Sequence, residues 1–181
     1  RFVDDAGHGL RLTQRRLVSM ASPNLAAMET TLVAEGFDGQ VVVESALDGT
    51  VANAGVARYA GLPSEHLEAE STHVEDDGSI CLTVVTNQSR VRIALAASTR
   101  VHRDGAVLEH RIEHEERPRW VASRHTVPVA DGEAVTVEKV VSLFTGRDAA
   151  VTDPGLEACD HIAHLVDGFD ELLRRHVGAW R

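Results

Sequence analysis

Ten histidines, a crowded run of glutamates and one polar loop are the groups in this chain with chemistry to offer. His110 and His114 stand four residues apart in a segment that reads as a strand, which places them about 13 Å apart, too far to share one ion. His161 and His164 fall at i,i+3 of a helical pattern and can meet on one face. With no cysteine or further ligand close in sequence, they read as a solvated pair and not as a metal site. Glu109, Glu113, Glu115 and Glu116 crowd one arm of an expected hairpin. Glu109, Glu113 and Glu115 share a strand face, and a paired acid and base can be built from such groups. A charged sheet edge that resists aggregation is the commoner use of such a row, and it is the expectation here. Cys81 and Cys159 lie far apart and match no metal or redox spacing. They are expected to be small buried hydrophobes in a reducing compartment, the cytoplasm. The chain contains no Gly-x-Ser-x-Gly elbow, Gly-rich phosphate loop or Cys–His arrangement. No catalytic residue, metal or cofactor is predicted.

The polar loop follows Ser45-Ala46-Leu47-Asp48-Gly49. From Ala52 to Tyr59 small residues alternate with Asn53, Arg58 and Tyr59, in a pattern that fits neither a strand nor a helix. Loops carried on a rigid scaffold are where recognition concentrates. Asn53, Arg58 and Tyr59 are therefore the candidate contact residues.

The elements that must position these groups are visible in the punctuation. Asp38-Gly39, Asp48-Gly49, Asp77-Gly78, Asp104-Gly105 and Asp131-Gly132 read as turns, because glycine there supplies the positive φ of tight hairpins. Between them lie strands predicted at Leu10–Met20, Leu25–Ala34, Gln40–Leu47, His66–Val74, Ser79–Thr86, Val91–His102, Ala106–Glu115, Trp120–Val129 and Glu133–Phe144. Val135, Val137, Lys139, Val141 and Leu143 alternate with polar positions, as in a strand with one face in a core. The fold class is mainly β: an antiparallel β-sandwich with long, twisted strands. After Thr145 the pattern changes. Pro154 follows Thr152-Asp153 at a helix start, and Leu156 to Trp180 steps at helical spacing with a break at Asp167-Gly168.

Composition narrows the partners. The 181 residues carry 18 basic against 28 acidic groups, a net charge of −10 that disfavours nucleic acid and anionic membranes. No apolar run reaches the ~18 residues of a membrane span. Only seven aromatics occur, few for stacking sugars on an open surface. The chain opens on Arg1-Phe2-Val3-Asp4-Asp5 with neither an initiator Met nor a signal peptide, and is expected to be a piece of a longer protein.

Four stretches together carry a family resemblance. Arg15-Arg16-Leu17-Val18-Ser19-Met20 with Leu25-Ala26-Ala27-Met28-Glu29-Thr30 forms one strand pair. Ser45 to Asn53 contains a Leu-Asp-Gly-x-Val-x-Asn pattern. Val137-Glu138-Lys139-Val140-Val141 runs on to Thr145-Gly146-Arg147-Asp148, and Phe169-Asp170-x-Leu172 leads to Trp180. In this order the chain resembles glycoside hydrolase family 65, the trehalose, maltose, kojibiose and nigerose phosphorylases and related hydrolases.

The resemblance implies a galactose-mutarotase-like supersandwich over residues 1–147, incomplete at its start. Residues 148–181 would be a linker and helix leading to an (α/α)6 catalytic barrel. In that family a glutamic acid of the barrel protonates the leaving sugar while phosphate or water attacks with inversion. No residue here matches it, so the chain alone is expected to be inactive. Its implied partners are its own barrel, a disaccharide and phosphate in the parent enzyme, and a second copy in a homodimer. Two other readings stand beside this one. One is a free-standing carbohydrate-binding module. The other is a mutarotase-like epimerase using His102 or His125 with Glu113.

Overall fold

The computed structural model describes residues 1–52, 64–165 and 167–181. Among them, strands β1 (Phe2–Val3), β2 (Gly9–Val18), β3 (Leu25–Glu35), β4 (Gly39–Asp48), β5 (Leu67–Val74), β6 (Ile80–Thr86), β7 (Arg92–Arg103), β8 (Ala106–Val107), β9 (Arg111–Arg117), β10 (Trp120–Val129) and β11 (Ala134–Thr145) precede helices α1 (Pro154–Ala163) and α2 (Phe169–Ala179). A large antiparallel sheet runs β1-β2-β3-β11-β7-β6-β5, with β8 on β7, and a small sheet runs β4-β10-β9. This is the expected antiparallel sandwich with C-terminal helices.

Alternation along the central strands decides what each face meets. On β11, Val135 and Val137 are buried with Val101, Val127, Leu32 and Ala34 between the sheets. Val140 on the opposite face packs with the helices. Near the other end of the sandwich, Ile80, Leu82, Val84 and Ala97 meet Leu47 and Val121. Lys139 shares the inner face with these valines. It donates a 2.6 Å hydrogen bond from Nζ to the Ala46 carbonyl of β4, and burial lowers its pKa to about 8.

The helices do not simply lead away from the sandwich. Ala158 and Ile162 of α1 and Phe169 and Leu172 of α2 are buried against Leu25, Ala27, Cys81, Ala94, Ala96 and Val140. Phe169 is 1% exposed, and burying such a side chain stabilises by about 1.5–3 kcal/mol. Asp153 caps α1, accepting from the amides of Gly155 at 2.8 Å and Leu156 at 3.2 Å, with Pro154 at the first helical position. Arg15 ties α2 down, its guanidinium 4.8 Å from the Phe169 ring centre and 3.0 Å from Asp170.

The turns divide into three kinds, where the sequence suggested one. Gly78 and Gly105 adopt positive φ and join antiparallel partners, β5 to β6 and β7 to β8. Gly132 also has positive φ, but β10 and β11 belong to different sheets, so it turns a corner between layers. Gly39 opens β4, and the positive φ before it belongs to Gly36. Gly36 donates to Asp131 at 2.7 Å and Asp131 to Asp38 at 2.8 Å, locking the two inter-sheet corners together. The predicted strand Ala106–Glu115 is likewise two strands. β8 pairs with the large sheet and β9 with the small one, so the chain changes layers between them.

Gly49 has a different reason to be glycine. A Cβ there would lie 2.7 Å from Val84 Cγ1 and 3.3 Å from the Arg119 carbonyl. Gly49→Ala is expected to cost about 1–3 kcal/mol by overpacking, read as a lower urea midpoint with an unchanged m-value.

Candidate functional site

The loop bearing Asn53, Arg58 and Tyr59 lies outside the described residues. Its base is described. Asp48 ends β4, and its Oδ1 accepts from the Thr50 amide at 2.7 Å and from Thr50 Oγ1 at 2.6 Å, which holds its carboxyl below the ordinary range. The Gly49 amide donates to the Arg119 carbonyl at 2.7 Å. Arg119, in the turn between β9 and β10, has φ +65° and reaches over to β5. Its Nη1 donates to the Leu67 carbonyl at 3.0 Å and lies 3.3 Å from Glu65. Ala52 and Glu65 then pair in an antiparallel bridge. Both ends of the loop are thus fixed to three strands. Arg119 was not singled out from the sequence, and no local pattern marks it.

The histidines go separate ways. His161 Nδ1 lies 3.0 Å from Ser142 Oγ, while His164 turns to Asp160 on its own helix, so the expected i,i+3 pair does not form. His114 sits 3.3 Å from the Gly78 carbonyl. His102 lies 3.5 Å from Glu138 on the helix-facing side of the large sheet. His110 is just before β9 and joins His125, which is 1% exposed in the sandwich interior. The Leu108 carbonyl, 2.8 Å from His110 Nδ1, can only accept. With both rings neutral, this sets the direction of a chain. His110 Nε2 accepts from His125 Nδ1 at 2.7 Å, and His125 Nε2 accepts from Ser123 Oγ at 2.9 Å.

The glutamates serve the sheet edge. Glu113 pairs with Arg111 at 2.8 Å, and Glu115 with Arg124 at 2.9 Å and with Arg117. Glu44 completes the row through Arg124 at 2.8 Å. Glu109 precedes β9 instead of sharing its face, and both it and Glu116 are exposed. Glu113 is the cross-strand partner of Arg124, whereas His125 points the opposite way into the core. His125 and Glu113 therefore cannot act on one substrate, and His102 belongs to the other sheet.

One gathering was not legible in sequence. His73 on β5, Glu75 just beyond it, Cys81 on β6 and Cys159 on α1 converge, with their ligand atoms all within 4.8 Å of one another. His73 Nε2 is 3.0 Å from Glu75 Oε1 and 3.8 Å from Cys159 Sγ, and Cys81 Sγ is 4.0 Å from Glu75 Oε1. The hydrogen bond between the thiols raises the Cys81 pKa, reinforced by burial, and lowers that of Cys159. Cys81 is buried as expected, but the two cysteines are neighbours and not isolated hydrophobes. Outside them lies a depression of about 660 Å³ rimmed by Asp76, Asp77, Glu157 and Asp160.

Comparison with known proteins gives the fold its context. The family model of the glycosyl hydrolase family 65 N-terminal domain matches residues 1–181. The chain belongs to this family. An uncharacterized glycosyl hydrolase of Mycobacterium tuberculosis is 36% identical over 184 residues, 99% of this chain and 13% of the relative. Kojibiose phosphorylase of Halothermothrix orenii is 24% identical over 183 residues, 97% of this chain and 22% of that enzyme. A solved structure assigned as a kojibiose phosphorylase from the human microbiome superposes with a TM-score of 0.72 at 14% identity. It covers 93% of this chain and 21% of that one, and supports the fold. The chain thus spans under a quarter of the length of either curated relative. No described helix is long and apolar enough to cross a membrane.

The buried imidazole chain has a pH signature. Burial first, then the charges of His110 and His114, pulls His125 from the ordinary 6.5 to about 4. The unfolded chain therefore binds more protons than the folded one between these values. The contribution is complete above pH 6.5 and lost as pH falls toward 4, to a total of about 3 kcal/mol. Urea unfolding across that range should show His125→Gln less stable than the parent at neutral pH but less sensitive to acid.

Proposed function

We propose that this chain is the non-catalytic N-terminal domain of an inverting α-glucoside phosphorylase or hydrolase acting on a disaccharide such as kojibiose, trehalose or maltose. The observation that carries the reading is the family match over residues 1–181. A relative named kojibiose phosphorylase, aligned over 97% of the chain, favours phosphorolysis of an α-linked glucose disaccharide. Residues 1–147 then form the sandwich, and residues 148–181 the linker toward an (α/α)6 barrel. The internal arrangement of the chain supports a scaffold role. The glutamates Glu113 and Glu115 are held in arginine pairs, and His125 is enclosed in the core.

The domain's contribution to activity falls on the loop that includes Asn53, Arg58 and Tyr59. The residues that flank it are fixed, by Asp48–Thr50 on one side and the Ala52–Glu65 bridge on the other. Its role is contact with the barrel or with the rim of the barrel's sugar pocket.

The experiment uses the enzyme that contains this domain, supplied with kojibiose, trehalose or maltose, with and without inorganic phosphate. Glucose 1-phosphate of inverted anomeric configuration is the expected product, and the chain without a barrel should turn over none of the three. Replacing Arg58 and Tyr59 by Ala should lower kcat/KM or the stability of the assembled enzyme. Unchanged turnover together with unchanged stability would remove the contact role, and sugar cleavage by the chain alone would overturn the scaffold reading.

A further inference from the structure

His73, Glu75, Cys81 and Cys159 serve no purpose in the function proposed above. The donor set is two thiols, an imidazole and a carboxylate, a combination that suits zinc and other borderline cations and is foreign to magnesium or calcium. We propose that these four side chains form a zinc site that fastens α1 to the β5–β6 hairpin, a proposal independent of the family reading.

The geometry is close to what the ion requires. Zinc ligands at the usual distances of about 2.0–2.3 Å stand about 3.3–3.8 Å from one another at the corners of a tetrahedron. The separations here are 3.0 Å for His73–Glu75, 3.8 Å for His73–Cys159 and 4.0 Å for Glu75–Cys81. With every ligand atom within 4.8 Å of the others, small side-chain rotations close the shell.

The backbone that carries the ligands is fixed before any ion arrives. His73 and Cys81 are directly opposed residues of antiparallel β5 and β6, so their side chains leave the same face of the sheet. Glu75 belongs to the turn that closes this hairpin. Its amide donates to the Ser79 carbonyl at 2.9 Å, and its carbonyl accepts from the Gly78 amide at 2.9 Å. Cys159 follows the fully buried Ala158 on α1, whose seating on the sheet sets the height of the sulfur.

Exposure is graded in the sense that an ion-binding site needs. Cys81 is 2% exposed and forms the floor, while the side chains of His73 and Glu75 are 47% and 42% exposed at the mouth. The mouth opens on the depression rimmed by Asp76, Asp77, Glu157 and Asp160, whose negative field concentrates cations. On binding, the two thiols release their protons to solvent. The resulting thiolates and the Glu75 carboxylate more than neutralise the divalent ion, and no oxidation state changes.

The test is made on the full chain, produced with zinc supplementation and dialysed against metal-free buffer. Elemental analysis should find one zinc ion per chain. Cobalt substituted for zinc should give the intense visible bands of a tetrahedral ion together with a thiolate charge-transfer band. Cys81→Ser sits in the core and risks misfolding, so Cys159→Ser and His73→Ala carry the argument. Each should weaken zinc binding by more than the roughly 10–100-fold that follows loss of a group that merely orients a ligand. Each should also abolish the rise in Tm that zinc gives the parent. Glu157→Gln, on the rim, should leave the stoichiometry unchanged. Substoichiometric zinc with a six-coordinate cobalt spectrum would overturn the proposal. So would an intact mass two hydrogens light, which would mean that Cys81 and Cys159 are joined as a disulfide.

Discussion

The structure depends on burying the middle of the large sheet on both faces. β11 lies between β3 and β7, with Val135 and Val137 turned toward the small sheet and Val140 toward the helices. A strand so placed leaves little room for a side chain that must reach water. Lys139 is accommodated on the inner face because its ammonium finds the Ala46 carbonyl of the opposing sheet. Both outer layers, the three-stranded sheet and the helix pair, are organised by this spine. They shield opposite faces of the same few strands.

The two layers are fastened differently. The small sheet is joined to the large one through inter-sheet corners, tied by Asp131, Asp38 and Gly36, and through a largely apolar interior. The His110–His125–Ser123 chain is an extended polar feature inside, made tolerable by its hydrogen bonding and by neutrality of His125 at ordinary pH. The helix layer rests on alanines and on single large anchors, Phe169 and Ile162. Its contact with the hairpin edge of the sheet falls at Cys159, opposite His73 and Cys81. An ion held by these side chains would cross-link the helix layer to the hairpin.

Much of this architecture was legible. Period-two alternation located the long strands to within a residue or two, as in Trp120–Val129. Asp153-Pro154 marked the start of α1, and Asp167-Gly168 the gap before α2. The charged row on β9 proved to be a sheet edge, because Glu113 and Glu115 had arginines opposite and beside them. Pairing was less legible. Asp131-Gly132 has the residues of a hairpin turn and the positive φ of one, yet its two strands enter different sheets. A turn residue reports the local dihedral and says nothing of which partners the strands then choose. The break between β8 and β9 escaped notice for the same reason: both halves have strand character, and only the change of partner separates them.

By itself, the sequence determined the element types, their order and the family, because periodicity, turn dihedrals and motif spacing are properties of neighbouring residues. Tertiary structure decided which side chains meet. His125 and Glu113 sit near one another in sequence and face opposite sides of one sheet. Cys159 meets His73 across 86 residues. The physical reason is that strand pairing and helix docking are settled by the burial of whole faces, which local patterns constrain in kind but not in partner. A cluster assembled from two strands, their turn and a helix exists only once those faces have closed.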